Sequence, residues 1–451
     1  MNTRASCFGS ATFVASAALT LSLATALELT PESPSPESGA KESAEATAVP
    51  PPPPAPAPAP ALDNAAVIDG ELVLVGEGLG FVEGPVWIPA NSAASPGPGF
   101  PDGGGYFAFC SLAREGSTIY RWPAPAAEGK LAIESKPVAL IKDSARIIGL
   151  ALAGPGTLLA CSVEQRAIIK LSFDGTTWAR SQSVGTVTVE RTADKKPDDQ
   201  TDPNQTRPNQ TGPSKTDPNQ SNGDKIKNEN LAVANPPRRL NATNDLVVGP
   251  GGEVWFTDPA FFTPPDQLTI GYNGVYRIDE TGTTTLATRA IAVPNGVALS
   301  PDAKTLYVND FRAGRVMALA ITRVASTKPG EPAQVTLGTP ALVIDLRAEC
   351  ARRSIKPNGN NDGLRCDDRG ILYTTGPGGV WIIDPARPEG ERAIARLDVA
   401  ATNIALGPAM SPPTSPAQGD VRKEDVKAAK AKGRTLLITG AGGKIYRVAL
   451  K

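Results

Sequence analysis

Four short stretches of the sequence place an oxygen-bearing side chain at the opening of an apolar run. Glu83 stands in Phe81-Val82-Glu83-Gly84-Pro85-Val86-Trp87 and Asn244 in Thr243-Asn244-Asp245-Leu246-Val247-Val248. Asn295 stands in Pro294-Asn295-Gly296-Val297-Ala298-Leu299 and Asp362 in Asn361-Asp362-Gly363-Leu364. Together they offer two carboxylates and two carboxamide oxygens, a hard, oxygen-only set of charge about −2 that suits a divalent cation keeping some of its waters. The chain contains no histidine. That excludes a Ser-His-Asp or Cys-His mechanism and the usual histidine-bearing catalytic zinc site. Ca²⁺ is the expected cation, with Mg²⁺, Mn²⁺ or a histidine-free zinc site left open. Taken singly, each residue has a plainer reading. Asn-Gly, Asn-Asp and Asp-Gly are turn dipeptides, because Asn and Asp tolerate left-handed backbone. What favours a site is that all four hold the same place relative to the strand that follows.

That shared place depends on the elements around it. From about residue 71 to 451 the sequence repeats one pattern: a Gly, Pro or Asp turn, a short apolar strand, a second turn and a second strand. Leu158-Leu159-Ala160 is followed by Ile168-Ile169-Lys170-Leu171, and Val254-Trp255-Phe256 by Val275-Tyr276-Arg277-Ile278. Leu306-Tyr307-Val308 leads to Val316-Met317-Ala318-Leu319, and Leu372-Tyr373 to Val380-Trp381-Ile382-Ile383. Leu436-Leu437-Ile438 leads to Ile445-Tyr446-Arg447-Val448, and a noisier unit joins Tyr106-Phe107-Ala108-Phe109 to Thr118-Ile119-Tyr120-Arg121-Trp122. Six units at this spacing predict an all-β fold, a six-bladed β-propeller with one four-stranded blade per unit. The strand from Glu71 to Gly76 is placed to complete the last blade and close the ring. The only helix-like stretch, Val421 to Lys432, is charged and reads as a surface insertion. The innermost strand of each propeller blade faces the channel, so the four oxygen-bearing residues are expected to converge near its axis.

Composition divides the remainder. Arg4, an apolar stretch from Phe8 to about Leu27 and the small residues Ala24-Thr25-Ala26 read as a signal peptide over 1–26. The protein is therefore expected to be exported, periplasmic or extracellular; an uncleaved anchor is the competing reading. Residues 27–65 form a Pro/Ala-rich linker, expected to be extended polyproline II. The propeller is expected over 66–451. Thr-x-Pro pentads starting at Thr201, Thr206, Thr211 and Thr216 mark a disordered insertion within it at about 192–230. No other segment is long and apolar enough to span a membrane. The 45 basic residues nearly balance 46 acidic ones, so no nucleic-acid partner is expected. A small-molecule partner is expected, and the protein is expected to be a monomer. Cys7, Cys110, Cys161, Cys350 and Cys366 form no C-x-x-C pair. They read as inert buried thiols, with a Cys350–Cys366 bridge the one alternative in an oxidising compartment.

The four segments resemble those of the SMP-30/gluconolactonase/regucalcin family, which includes calcium-dependent lactonases and organophosphate-hydrolysing relatives. Glu83-Gly84-Pro85-Val86-Trp87 is similar to the family's E-G-P-x-W strand. Asn244-Asp245-Leu246 through Trp255-Phe256-Thr257-Asp258-Pro259 is similar to its N-D-L-V-V to W-F-T-D-P blade. Pro294-Asn295-Gly296 through Ser300-Pro301-Asp302 and Asp362-Gly363-Leu364 through Asp367-Asp368-Arg369-Gly370 match two further blades. The resemblance covers about 71–451. It implies that Glu83, Asn244, Asn295 and Asp362 hold the cation and that Asp362 is also the catalytic carboxylate. On that reading the cation is a Lewis acid in lactone opening, and Asp362 is a general base or nucleophile. Two departures stand out. The second blade reads Cys161-Ser162-Val163-Glu164-Gln165, without the Glu-His-Gly of many bacterial relatives, and Ala242 replaces the arginine of the animal branch. Both are expected to touch substrate recognition. Two alternatives stay open: a non-catalytic exported scaffold with a structural channel metal, and a phosphotriester-type hydrolase.

Overall fold

The computed structural model describes residues 59–89, 105–113, 116–122, 136–142, 144–173, 178–184, 186–187, 239–328, 332–408 and 433–451. The expected signal peptide, most of the linker, the Thr-x-Pro insertion and the charged stretch from Val421 to Lys432 lie outside the described residues. The strands form six sheets that follow one another along the chain, the six blades of a propeller. The middle strands of each blade are the pairs read from the sequence, from Tyr106–Ala113 with Gly116–Trp122 in blade one to Arg434–Gly440 with Lys444–Leu450 in blade six. The innermost strands are Phe81–Ile88, Ile147–Gly154, Leu246–Val248, Pro294–Leu299, Leu364–Cys366 and Ala401–Pro408.

The apolar runs have a direct cause. Successive side chains of a strand point to opposite faces, and each face of a blade is buried against a neighbouring blade. Leu158 and Ala160 pack with blade one, whereas Leu159 and Cys161 pack with blade three. Phe256 and Tyr276 face blade two, while Trp255 and Val275 face blade four. Six hydrophobic clusters fill the six seams, so the core is a ring of interfaces.

The ring closes as expected. Val73–Gly76 is the fourth strand of blade six and runs antiparallel to Lys444–Leu450, with Leu74 opposite Tyr446. Residues just before it, placed in the linker by composition, also lie against the propeller. Leu62 packs into the seam between blades four and five. The Asp63 N–H donates to the Ile394 carbonyl at 2.9 Å, and the Asn64 side chain exchanges hydrogen bonds with the Arg396 backbone at 2.8 and 2.9 Å. The short helix Leu346–Arg352 was not foreseen from the residue pattern. Asp345 caps it by accepting the Ala348 N–H at 3.0 Å, and buried Glu349 pairs with Arg353 at 3.0 Å. Among the described cysteines Cys110, Cys161, Cys350 and Cys366 are free, so Cys350 and Cys366 form no bridge. Burial pushes the Cys110 and Cys161 thiols well above their usual range.

Candidate active site

Glu83 and Asn295 lie on the innermost strands of blades one and four, and Asn244 and Asp362 stand two residues ahead of those of blades three and five. All four line one cavity of about 370 Å³. Ile148 and Thr402 take the equivalent places in blades two and six.

The turn reading of these dipeptides does not hold, because Asn244, Asn295 and Asp362 are absent from the residues with left-handed backbone. The glycines that follow serve close approach instead. A Cβ at Gly296 would collide with the Asp362 carbonyl oxygen, and one at Gly363 with the Asn403 side chain. Without it, the Gly296 N–H donates to the Asp362 carbonyl at 2.8 Å and the Gly363 N–H to that of Thr402 at 2.9 Å. Backbone contact between adjacent blades thus draws the site residues together.

A second set of residues fixes them. Asp258, a letter of the W-F-T-D-P motif, accepts the N–H groups of Asn241 at 2.8 Å and Ala242 at 2.9 Å. These bonds anchor the loop that ends at Asn244. Thr257 accepts the Asn244 N–H at its carbonyl, 2.9 Å away, and its hydroxyl donates to the Asn295 carbonyl at 2.7 Å. Asn309 donates to the Asp362 carbonyl at 2.8 Å. Glu83 accepts hydrogen bonds at Oε2 from Asn403 Nδ2 and from the Gly84 N–H, each at 3.1 Å. Buried Asp245 is paired with Arg365 at 2.8 Å, joining blade three to blade five. Sequence reasoning did not single out Asn309, Arg365 or Asn403. Only the motif spacing at Asp258 carried a signal.

The electrostatics are those of an unanswered charge. Burial, the largest cause, pushes Glu83 up to about 7; Asn403 and Gly84 oppose the rise through their hydrogen bonds, and Asp245 adds to it. Asp362 is raised well above the carboxylate range by burial, then by the negative charges of Glu83 and Asp245, with the Asn295 hydrogen bond opposing. Arg365 is already committed to Asp245. Asn295 Oδ1 is buried and has no hydrogen-bond partner among the described residues. Two like-charged acids, an unpaired amide oxygen and a second amide are a donor set that a hard divalent cation fits. Among the described residues no three of His, Cys, Asp or Glu are placed to hold a metal ion by themselves, so such a site relies on the amides.

Phe81, Ile148, Ala260, Phe261, Phe262 and Phe311 complete the wall. The two departures seen in the sequence are not part of it. Ala242 is buried in the seam between blades two and three, and the Ser162 hydroxyl donates to the Ala145 carbonyl.

Residues 219–411 match the family model for the SMP-30/Gluconolactonase/LRE-like region. The matched span holds Asn244, Asn295 and Asp362. The chain is 35% identical over 153 residues to a gluconolactonase of Zymomonas mobilis, covering 33% of this chain and 40% of that protein. It is 36% identical over 79 residues to the lactonohydrolase OryL of Aspergillus oryzae, covering 17% of this chain and 18% of that protein. It therefore matches less than half the length of either relative. The fold is similar to that of a gluconolactonase from Xanthomonas campestris, with a TM-score of 0.52 and 19% identity over 87% of this chain and 97% of that one.

Proposed function

We propose that this SMP-30/gluconolactonase-like propeller is an exported lactone hydrolase that depends on a divalent cation. One observation carries the reading: oxygen-bearing side chains from four blades meet in one cavity, and two of them are acids, Glu83 buried and Asp362 half-buried, whose nearby guanidinium is already paired. Two relatives, named a gluconolactonase and a lactonohydrolase, support a lactone as substrate class.

A divalent cation, Ca²⁺ first, would be held by Glu83, Asn244, Asn295 and Asp362 and would supply Lewis-acid polarisation of the lactone carbonyl. Glu83, fixed by Asn403 and Gly84, contributes charge and position. Asn244 and Asn295 contribute neutral oxygens, held from behind by Thr257 and Asp258. Asp362 is the one carboxylate with partial access to the cavity. It takes a proton from water as the water oxygen bonds to the acyl carbon. The acyl–oxygen bond of the ring then breaks, and the departing alkoxide recovers that proton from Asp362. The apolar wall keeps other water away from this exchange.

The test strips the protein with EDTA, restores Ca²⁺, Mg²⁺, Mn²⁺ or Zn²⁺ singly, and assays lactones, aryl esters and phosphotriesters. Cation-dependent lactone opening that is lost in Asp362→Asn is the expected result. Thermal stabilisation by the cation with no ester or lactone cleaved would overturn it in favour of a scaffold. Cleavage of phosphotriesters alone would replace it with the phosphotriesterase reading.

A further inference from the structure

We infer that this site accepts a lactone bearing an apolar alkyl or aryl substituent, and not a polyhydroxylated sugar lactone; the inference rests on the lactone-hydrolase reading above. Among the described residues, the polar ones lining the cavity are the four that would hold the cation. The rest of the wall is Phe81, Ile148, Ala260, Phe261, Phe262 and Phe311. An aldonolactone brings several hydroxyl groups. Each would leave water for a wall without a side-chain donor or acceptor to replace it, a loss that an alkyl chain does not suffer. A cavity of about 370 Å³ is of a size for a small ligand.

The phenylalanines form a continuous surface drawn from three blades. Phe81 meets Phe262 at 6.5 Å between ring centroids, Phe262 meets Phe261 at 6.3 Å, and Phe261 meets Phe311 at 5.0 Å, with the rings edge to face. Phe81 is 41% exposed and Phe262 49%, so neither ring is held there by burial in the core. Phe262 also adopts a left-handed backbone, with φ at 59°, a conformation that a bulky residue seldom takes. Next to it, Ala145 and Arg146 share that conformation, at 58° and 48°, and the Arg146 guanidinium lies over the Phe262 ring at 5.9 Å. Strained backbone of this kind concentrates at sites of ligand contact. Arg146 itself does not line the cavity.

The experiment compares glucono-δ-lactone with δ-decalactone on the cation-loaded protein, and measures the binding of each to Asp362→Asn by calorimetry. We expect kcat/KM to favour the decalactone by about 100-fold, and the decalactone alone to bind the variant. Phe262→Asn retains a residue tolerant of left-handed backbone. It and Phe81→Ser should each lower the preference by about tenfold, with circular dichroism confirming that the fold is kept. Equal or better turnover of gluconolactone, or an unchanged preference in both variants, overturns the inference and leaves the lactonase reading standing. Decalactone that binds Asp362→Asn but is never opened by the intact enzyme sinks the lactonase reading and keeps the apolar ligand. If neither lactone binds or opens, both readings fall.

Discussion

Two cavities of this propeller teach by contrast. One lies between blades five and six, has a volume of about 590 Å³ and is lined by Ser354, Lys356, Asn358, Arg396 and Asp398 among others. The other, at the channel, has only about 370 Å³. In the larger one the Arg396 guanidinium donates to the Gly378 carbonyl and to Asp398, and it lies over the Trp381 ring at 5.9 Å. Its charge is answered by its own surroundings. In the smaller one Glu83 and Asp362 share a buried space, their nearest guanidinium is paired with Asp245, and Asn295 Oδ1 has no partner among the described residues. Unmet electrostatic demand, and not volume, is what singles out the proposed site.

The contrast can be broken at several points. Asp362→Asn should lower kcat for lactone opening by about 10³-fold or more in steady-state assays, since it removes the proton acceptor. Arg365→Gln leaves Asp245 buried and unpaired. It should cost about 3 kcal/mol in urea unfolding, and adding Asp245→Asn should restore part of the loss. If the single change costs nothing, Arg365 is not the counter-charge that leaves the other two acids unanswered. Gly363→Ala forces a Cβ into Asn403 and should cost about 2 kcal/mol, together with activity, because it moves Asp362.

A pH effect should follow, with a definite sign. Burial pushes the Glu83 carboxyl up from its ordinary 4.5 to about 7 in the folded protein. The cation-free fold therefore holds a proton that the unfolded chain releases. Its contribution to stability is fully present below 4.5 and is lost as pH rises through about 7. In EDTA, Tm should fall between about pH 5 and pH 8, and saturating Ca²⁺ should flatten the profile. A flat profile without the cation would mean that the buried acids are already compensated. Arg396→Ala, in the larger cavity, should change kcat/KM by less than about threefold; a large loss there would erase the distinction between the two cavities.

Legibility followed burial. The middle strands of all six blades showed in the sequence because both of their faces are buried, so Val275-Tyr276 and Trp255-Phe256 read as unbroken apolar runs. Apart from Val73–Gly76, the outer strands did not show. Val138–Lys142 has no buried residue, and Ala341–Asp345 exposes Ala341 and Leu342. The innermost strands of blades two and six also passed unnoticed, since Ile148 and Thr402 carry no carboxylate or amide at the telling place. Glu83, Asn244, Asn295 and Asp362 were legible as a set from their position ahead of a strand. Their supports were not. Asn403 is 320 residues from Glu83 and Arg365 is 120 from Asp245, distances that only ring closure removes. The glycines after Asn295 and Asp362 were visible, but their close approach to the next blade was not, because Asn-Gly and Asp-Gly also fit a turn when only one blade is read.

The closure of blade six has a consequence for how the protein comes into being. Val73–Gly76 precedes every other described strand of the propeller, yet its hydrogen-bonding partner is Lys444–Leu450. Until that strand has been made, Val73–Gly76 presents an open edge, and the circle of seams lacks its last member. Pairings this distant in sequence form slowly. The ring of blades therefore stays unlatched until Lys444–Leu450 arrives to pair with Val73–Gly76.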